Sequence, residues 1–453
     1  MTVVPNDLDT ANQPPMRVPL RHFLVGLGCL LGGVLIGIGT AFGQFSALLT
    51  LAHIHLLLAG WICITIMGAM TQFVPVWSGT ELHSRRLSTI QLWVVTIGLL
   101  GFAGALTTGR LGIAPVFAAI LLGGFWIFAY NIGRTLWGQS TYDITECHFG
   151  LALGFLLLAT TLGLLLAIDL TRPLFGPETV TRTAAVHAHV TLAVFGIVIT
   201  TVLGALYQLA TMFTQTELHG VDRPLRRLEA VGYPVGVLAL AAGRLIDSAP
   251  LATVGGLLIV VSLAGFSIIL GRRLYETPVD WTPMCSRYAV ATVALAGWAI
   301  LAAPAWIADP LAREALFGGP RTLYLLVLGV IGFVVLGTLY HIVPFIIWVD
   351  RYSDRLGYEP VPMIDDLYDD RLAAVDFGLL SVGTSGVVGA AWFDASSTIT
   401  VASGVVLLSG VAVFVLNILG VIHNHSPDSL SQILGGRLAT VVSQPPTDEN
   451  TDQ

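Results

Sequence analysis

Residues 53–83 read HIHLLLAGWICITIMGAMTQFVPVWSGTELH. Two histidines open a long apolar run, Pro75 and Trp77 close it, and His83 follows Glu81. A second copy begins at His187 and reads HAHVTLAVFGIVITTVLGALYQLATMFTQTELH. Across the 16 positions from Gly68 to His83, set against Gly204 to His219, 7 residues are identical. A degraded third copy, GTLYHIVPF from Gly337, keeps the Gly, shares Leu-Tyr with the second copy, and sets Pro344 where the first has Pro75. The chain is therefore read as an internal repeat whose first two copies keep paired histidines.

Working outward, the apolar character continues on both sides. The 453 residues are 55% hydrophobic and 11% charged, with mean hydropathy +0.81. Successive apolar runs of about 20 residues indicate a polytopic helical membrane protein. Hydrocarbon leaves every backbone polar group to be paired internally, and helices do this within one segment. The runs are too long for the strands of a membrane barrel. A soluble helical protein would show polar helix faces, which are missing.

Twelve spanning segments are expected near 22–44, 47–77, 88–109, 113–137, 147–169, 184–213, 228–247, 250–271, 286–307, 321–349, 373–392 and 397–422. They form one membrane domain over 17–442, between a disordered N-terminal segment, 1–16, and a disordered acidic tail, 443–453. All 21 basic residues are Arg, and the net charge is -7. With the N-terminus inside, 15 arginines, Arg437 among them, fall on the inner side and 6 outside, as the positive-inside rule requires. The expectation is a multi-pass protein of the cell membrane with both termini cytoplasmic, a lipid bilayer as its surroundings, and no nucleic-acid partner. Cys29, Cys63, Cys147 and Cys285 show no paired spacing, so neither a disulfide frame nor a cysteine metal site is indicated. The acidic loop containing Asp365, Asp366, Asp369 and Asp370 reads as a solvated surface.

Gly68, Gly204 and Gly337 fall in segments 2, 6 and 10, so the period is four helices and the expected fold is a pseudo-threefold ring. His53 and His55 lie at the outer end of segment 2, and His187 and His189 at the outer end of segment 6. From His55 to His83 is 28 residues, or about 42 Å of helix, so the inner His83 and His219 belong to no common site with the outer four. In an H-x-H on a helix the rings point about 200° apart. One histidine of each pair can thus face a site between segments 2 and 6, with His55 and His189, one step deeper, favoured by packing. Two facing imidazoles can ligate a haem iron, or hold copper or zinc with added ligands. The structural alternative has these histidines hydrogen-bonding at headgroup level, but polar groups inside membrane helices are costly and their repetition points to function. His341 stands where the other copies have Gln72 and Gln208, and is read first as structural and second as a weaker ligand. His148, His423 and His425 are read as solvated or capping, and Asp376 as either an intramembrane or an interfacial acid.

At this point the residues resemble a known superfamily. Three groups of four helices with histidines on segments 2, 6 and 10 look like the catalytic subunit I of haem-copper oxidases and nitric oxide reductases. Within segment 2, His53, His55, Gly60, Gly68, Pro75, Trp77 and Gly79 are similar in spacing to the H-x-H…G…G…P-x-W-[ST]-G stretch of the NnrS family, haem- and copper-containing membrane proteins linked to nitric oxide response. That match spans 27 residues, and Leu56 stands where the family usually has an acid. The departures are specific. Pro320-Arg321-Thr322 occupies the place of the two haem ligands of segment 10, and segment 7 has no histidine to hold copper. Thr191 and Ala193 replace a tyrosine after the segment 6 pair. The resemblance therefore implies a haem-binding, and also copper-binding, protein of electron transfer or of nitric oxide and oxygen handling, without the usual binuclear centre. Its ligands are expected among His53, His55, His187 and His189. Respiratory subunits and a cytochrome or cupredoxin donor are the implied partners, and no catalytic residue is assigned. The alternatives are the catalytic subunit of a divergent cytochrome c oxidase or nitric oxide reductase, and a cofactor-free transporter or structural membrane subunit.

Overall fold

The computed structural model describes residues 14–435, apart from 42–46, 140, 177 and 179. The expected disordered ends fall largely outside these residues, as does Arg437. Residues 14–16 lead directly into the first helix, and Met16 is buried. Among the described residues there are 12 helices long and apolar enough to cross a membrane. They are α1 (Arg17–Gly39), α2 (Ala47–Ser78), α3 (Arg85–Thr107), α4 (Leu111–Leu136), α5 (Ile144–Asp169) and α6 (Arg182–Thr214), then α7 (Asp222–Leu245), α8 (Ala249–Glu276), α9 (Pro283–Ala308), α10 (Leu325–Arg351), α11 (Asp370–Trp392) and α12 (Ser397–His425). A short helix, α13 (Leu430–Gly435), follows. The chain thus has the architecture of an all-helical, multi-pass membrane protein.

Each expected segment has its helix, and the differences are at the ends. α1, α7 and α8 extend beyond the apolar runs because Arg17, Arg21, Asp222, Arg223, Arg272 and Arg273 continue the helix. Long Arg side chains can keep their stems against apolar surface while their heads reach water or a partner. Arg17 does this with Asp428, and Arg21 Nε donates to the Ile433 carbonyl at 2.6 Å. These bonds fasten the start of the first helix to the end of the chain.

The packing is regular. α2 lies against α1, α3 and α4; α6 against α5, α7 and α8; α10 against α9, α11 and α12. α4 packs on α5, α8 on α9, and α12 on α1. Close approach is made at glycine. A Cβ on Gly68 would come within 2.7 Å of His22 Cβ, on Gly204 within 2.6 Å of His148 Cβ, and on Gly337 within 3.0 Å of Arg287 Cβ. Without a strong hydrophobic drive between helices in lipid, such small residues let van der Waals contact accumulate.

α2, α6 and α10 are not uniform α-helices. Each contains a π-helical stretch, Leu56–Ile62, Leu192–Ile199 and Leu325–Gly332 respectively. The wider turn displaces backbone bonds by one residue, and such stretches concentrate at functional sites. In α6 the freed Phe195 carbonyl accepts from Tyr233 Oη at 2.7 Å and from Thr200 Oγ1 at 3.1 Å.

Asp376 is fully buried within α11. Arg287 of α9 and Tyr340 of α10 both donate to its carboxylate. Arg287 also lies over the Tyr340 ring, 4.5 Å from its centroid, and Asn417 Nδ2 donates to Tyr340 Oη at 3.0 Å. One ion pair therefore ties four helices. Replacing one member of a buried pair strands the other charge and costs about 3–5 kcal/mol, whereas replacing both with apolar groups is often neutral. Asp376→Leu should accordingly lower the unfolding temperature sharply, and adding Arg287→Met should recover most of the loss. Thermal unfolding of both variants in detergent checks this; a double variant no better than the single one would show that the pair is not the tie.

Candidate cofactor site

The paired histidines begin α2 and α6 and divide by direction, as a spacing of two on a helix requires. His53 turns to α1, where its Nδ1 donates to the Gly33 carbonyl at 2.7 Å. His189 turns to α5 in the same way, its Nδ1 donating to the Ala159 carbonyl at 2.9 Å. A glycine lies under each ring: a Cβ on Gly37 would be 2.5 Å from His53 Cε1, and on Gly163 2.9 Å from His189 Cε1. The matching residues of the two pairs are therefore His53 and His189, each 15 residues before Gly68 and Gly204 respectively, and not first with first.

His55 donates from Nδ1 to the Leu51 carbonyl of its own helix at 2.8 Å and meets Phe102 edge-on at 5.1 Å between centroids. His187 is buried, and the charges of Arg244 and Arg313 act on it. The two histidines that come within electrostatic reach of one another across α2 and α6 are His55 and His189. A carbonyl can only accept, so Nδ1 carries the proton in both, and each Nε2 is left with its lone pair. A hydrogen bond of this kind fixes the tautomer and ring orientation of metal-bound histidines.

Among the described residues no group of three or more His, Cys, Asp or Glu comes together as a multidentate metal site would need. His341 makes no hydrogen bond among the described residues; its ring lies 4.1 Å from Phe213 and 5.9 Å from Phe345, centroid to centroid. His83 meets Tyr130 edge-on, and His219 Nε2 is 2.9 Å from Glu276 Oε2, both away from the four outer histidines.

Two features escape a reading of the sequence. Arg244 of α7 is 2% exposed. It donates to the carbonyls of Pro310, Leu316 and Ala315 and, at 2.7 Å, to Thr191 Oγ1. No carboxylate pairs with it among the described residues, so it is a buried cation beside α6 without a counter-ion. The second is His148, expected to be solvated or capping but only 1% exposed. Its Nδ1 donates to the Ile144 carbonyl at 2.7 Å, and its Nε2 lies 2.9 Å from Glu229 Oε1. With Nδ1 committed as a donor, one proton is shared between Nε2 and Oε1. Tyr207 Oη donates to Glu229 Oε2 at 2.9 Å. The signal that could have found this cluster is Glu229 itself, a carboxylate two turns inside a spanning helix.

No protein-family model matches this chain, and no curated protein is similar to it in sequence.

Glu229→Leu should unfold more easily than the parent, because it leaves His148 Nε2 and Tyr207 Oη without partners at about 1–3 kcal/mol each. Tyr207→Phe removes only one bond and should cost about 1 kcal/mol. Comparing the two by thermal unfolding tests the cluster, and equal losses would contradict it.

Proposed function

We propose that this chain is a haem-binding membrane protein of the haem-copper oxidase subunit I kind that lacks the binuclear centre and serves in electron transfer or in handling nitric oxide or oxygen. The observation that carries the reading is that His55 on α2 and His189 on α6 each have Nδ1 held by a backbone carbonyl and Nε2 free, with the charge of His55 bearing on His189. Two such imidazoles would hold a haem iron. Arg244 fits the same group, since haem carries two propionates and this buried cation has no acidic partner among the described residues.

The oxidase-like fold is supported by the packing. α2, α6 and α10 each contact the helix before and the two after them, and the helices fall into three groups of four around them. The π-helical stretches recur in the same three helices. Support extends to haem rather than to copper: two imidazoles suffice for the one, and no third donor joins them among the described residues.

Bound haem would supply a one-electron couple. The chain's own residues set its surroundings. The Leu51 and Ala159 carbonyls keep both imidazoles in the tautomer that presents Nε2. Gly163 leaves room for the His189 ring against α5, and Phe102 holds His55 from the side. His55 and His189 would both hold the group, so a diatomic gas would have to compete with one of them. Electrons would come from a partner such as a cytochrome or a cupredoxin.

Optical spectra of protein purified after expression with ample haem, oxidised and dithionite-reduced, test this. Sharp low-spin bands are expected for the parent, and for His53→Ala and His187→Ala. They should be lost in His55→Ala and His189→Ala, and in Gly163→Leu, which drives a side chain into the His189 ring. Arg244→Leu should keep the band positions and lower the haem retained through washing. A featureless parent spectrum removes the haem reading; loss in the His53 and His187 variants instead would reassign the ligands.

A further inference from the structure

The burial pattern of α2, α6 and α10 leaves isolated, partly exposed side chains inside otherwise buried runs. In α10 every residue from Phe333 to Trp348 is buried except Thr338 and His341. In α6 every residue from Val194 to Ala210 is buried except Ala205 and Gln208. In α2 the run from Gly60 to Val76 is buried except at Ile66 and Ala69, with Gln72 one turn beyond Ala69. These are the same stations in each helix. Ala69, Ala205 and Thr338 directly follow Gly68, Gly204 and Gly337, and Gln72, Gln208 and His341 lie three residues further on. Residues three apart share one helix face.

On α10 that face is shared: Thr338 meets Tyr288 of α9, and His341 meets Phe213 of α6. α2 is covered elsewhere by α1, α3 and α4, α6 by α5, α7 and α8, and α10 by α9, α11 and α12. Across the centre the helices touch through rings. Phe73 stacks on Phe345 at 6.1 Å between centroids, joining α2 to α10, and Phe213 meets His341 at 4.1 Å, joining α6 to α10.

At these stations Thr338 Oγ1 is paired with Tyr288 Oη of α9 at 2.7 Å, whereas the amides and the imidazole have no partners among the described residues. Gln72 is 1% exposed and its Oε1 is sealed without a hydrogen bond. The side chains of Gln208 and His341 make none among the described residues. Three hydrogen-bonding groups at matched stations of an apolar core would be a large penalty if left bare, and buried polar atoms are regularly satisfied by internal molecules. No Asp, Glu or Arg stands at these stations, so the chamber favours neither a cation nor an anion. Two amides and an imidazole offer both donors and acceptors.

We propose that α2, α6 and α10 enclose a polar chamber, lined by Ala69, Gln72, Ala205, Gln208, Thr338 and His341, that binds small neutral hydrogen-bonding molecules, with water as its resting occupant. The chamber is separate from the paired outer histidines and does not depend on haem.

Cysteine chemistry tests it on the full chain. In a Cys147→Ser background, Ala205→Cys and the control Leu203→Cys, at a position 1% exposed, are treated with 2-aminoethyl methanethiosulfonate. The reagent requires a thiolate, which forms in water and not in hydrocarbon. Ala205→Cys should react at least ten-fold faster than Leu203→Cys; equal rates in folded protein overturn the proposal. A thermal-unfolding cycle of Gln72→Leu, His341→Leu and the double variant is the second measurement. Shared occupants predict non-additive losses. Additive gains in stability would mean that the polar groups are merely stranded, and would also overturn it.

Discussion

Hydrocarbon offers a buried polar side chain no water, so its partner must come from the chain or from something the chain binds. Two clusters meet the condition internally. His148, Tyr207 and Glu229 join α5, α6 and α7, and Arg287, Tyr340 and Asp376 join α9, α10 and α11. The donors occupy one station, beside the glycines at 204 and 337. His22, beside Gly68, holds that station in α1. Counting from the helix caps extends the comparison: Gln91 lies seven residues after the capping Ser84, as Asp376 lies seven after the capping Asp369. In α1–α3 the station residues His22, Thr71 and Gln91 keep buried polar atoms without partners. Under the proposed repeat, one arrangement thus occurs in three electrostatic forms: uncharged, sharing a proton, and ionic. Only the last two lock their helices by hydrogen bonds between side chains.

The π-helical stretches connect this frame to the candidate site. Each lies just before the glycine contact of its helix, and in α2 and α6 it lies just after the histidines. A wider turn there rotates the histidine-bearing part relative to the glycine-bearing part. The histidines are thereby aimed independently of the packing below them. Sequence periodicity carries no mark of this, because a π-helical turn has the composition of the surrounding helix: LLLAGWI and LAVFGIVI read as ordinary apolar runs.

The number and placing of the spanning helices were legible because hydrocarbon thickness imposes a run length that composition reports directly. Their ends were less so, since an Arg that ends an apolar run can continue the helix. That α2 and α6 each carry a histidine pair near one end was legible from residue type and repetition. What holds them was not. Gly33, Leu51 and Ala159 contribute main-chain carbonyls, which no residue type announces. Arg244 was read only as an outer charge, because burial and the absence of an acid nearby are properties of the packed state. His148 was misjudged for the same reason: its partner Glu229 is 81 residues away in sequence.

The two halves of the candidate site are built alike and then made different by one residue. His53 and His189 hold matching stations, each with a carbonyl and a glycine of the preceding helix behind the ring. Two residues on, α2 has His55 and α6 has Thr191. The charge of His55 bears on His189, whereas the Thr191 hydroxyl donates back to the His187 carbonyl at 2.7 Å and accepts from Arg244. A symmetric repeat would place an equivalent histidine on α6, facing the next helix group. The threonine instead anchors a buried cation there. The asymmetry gives α2 a histidine at this station and α6 a threonine that holds a buried cation.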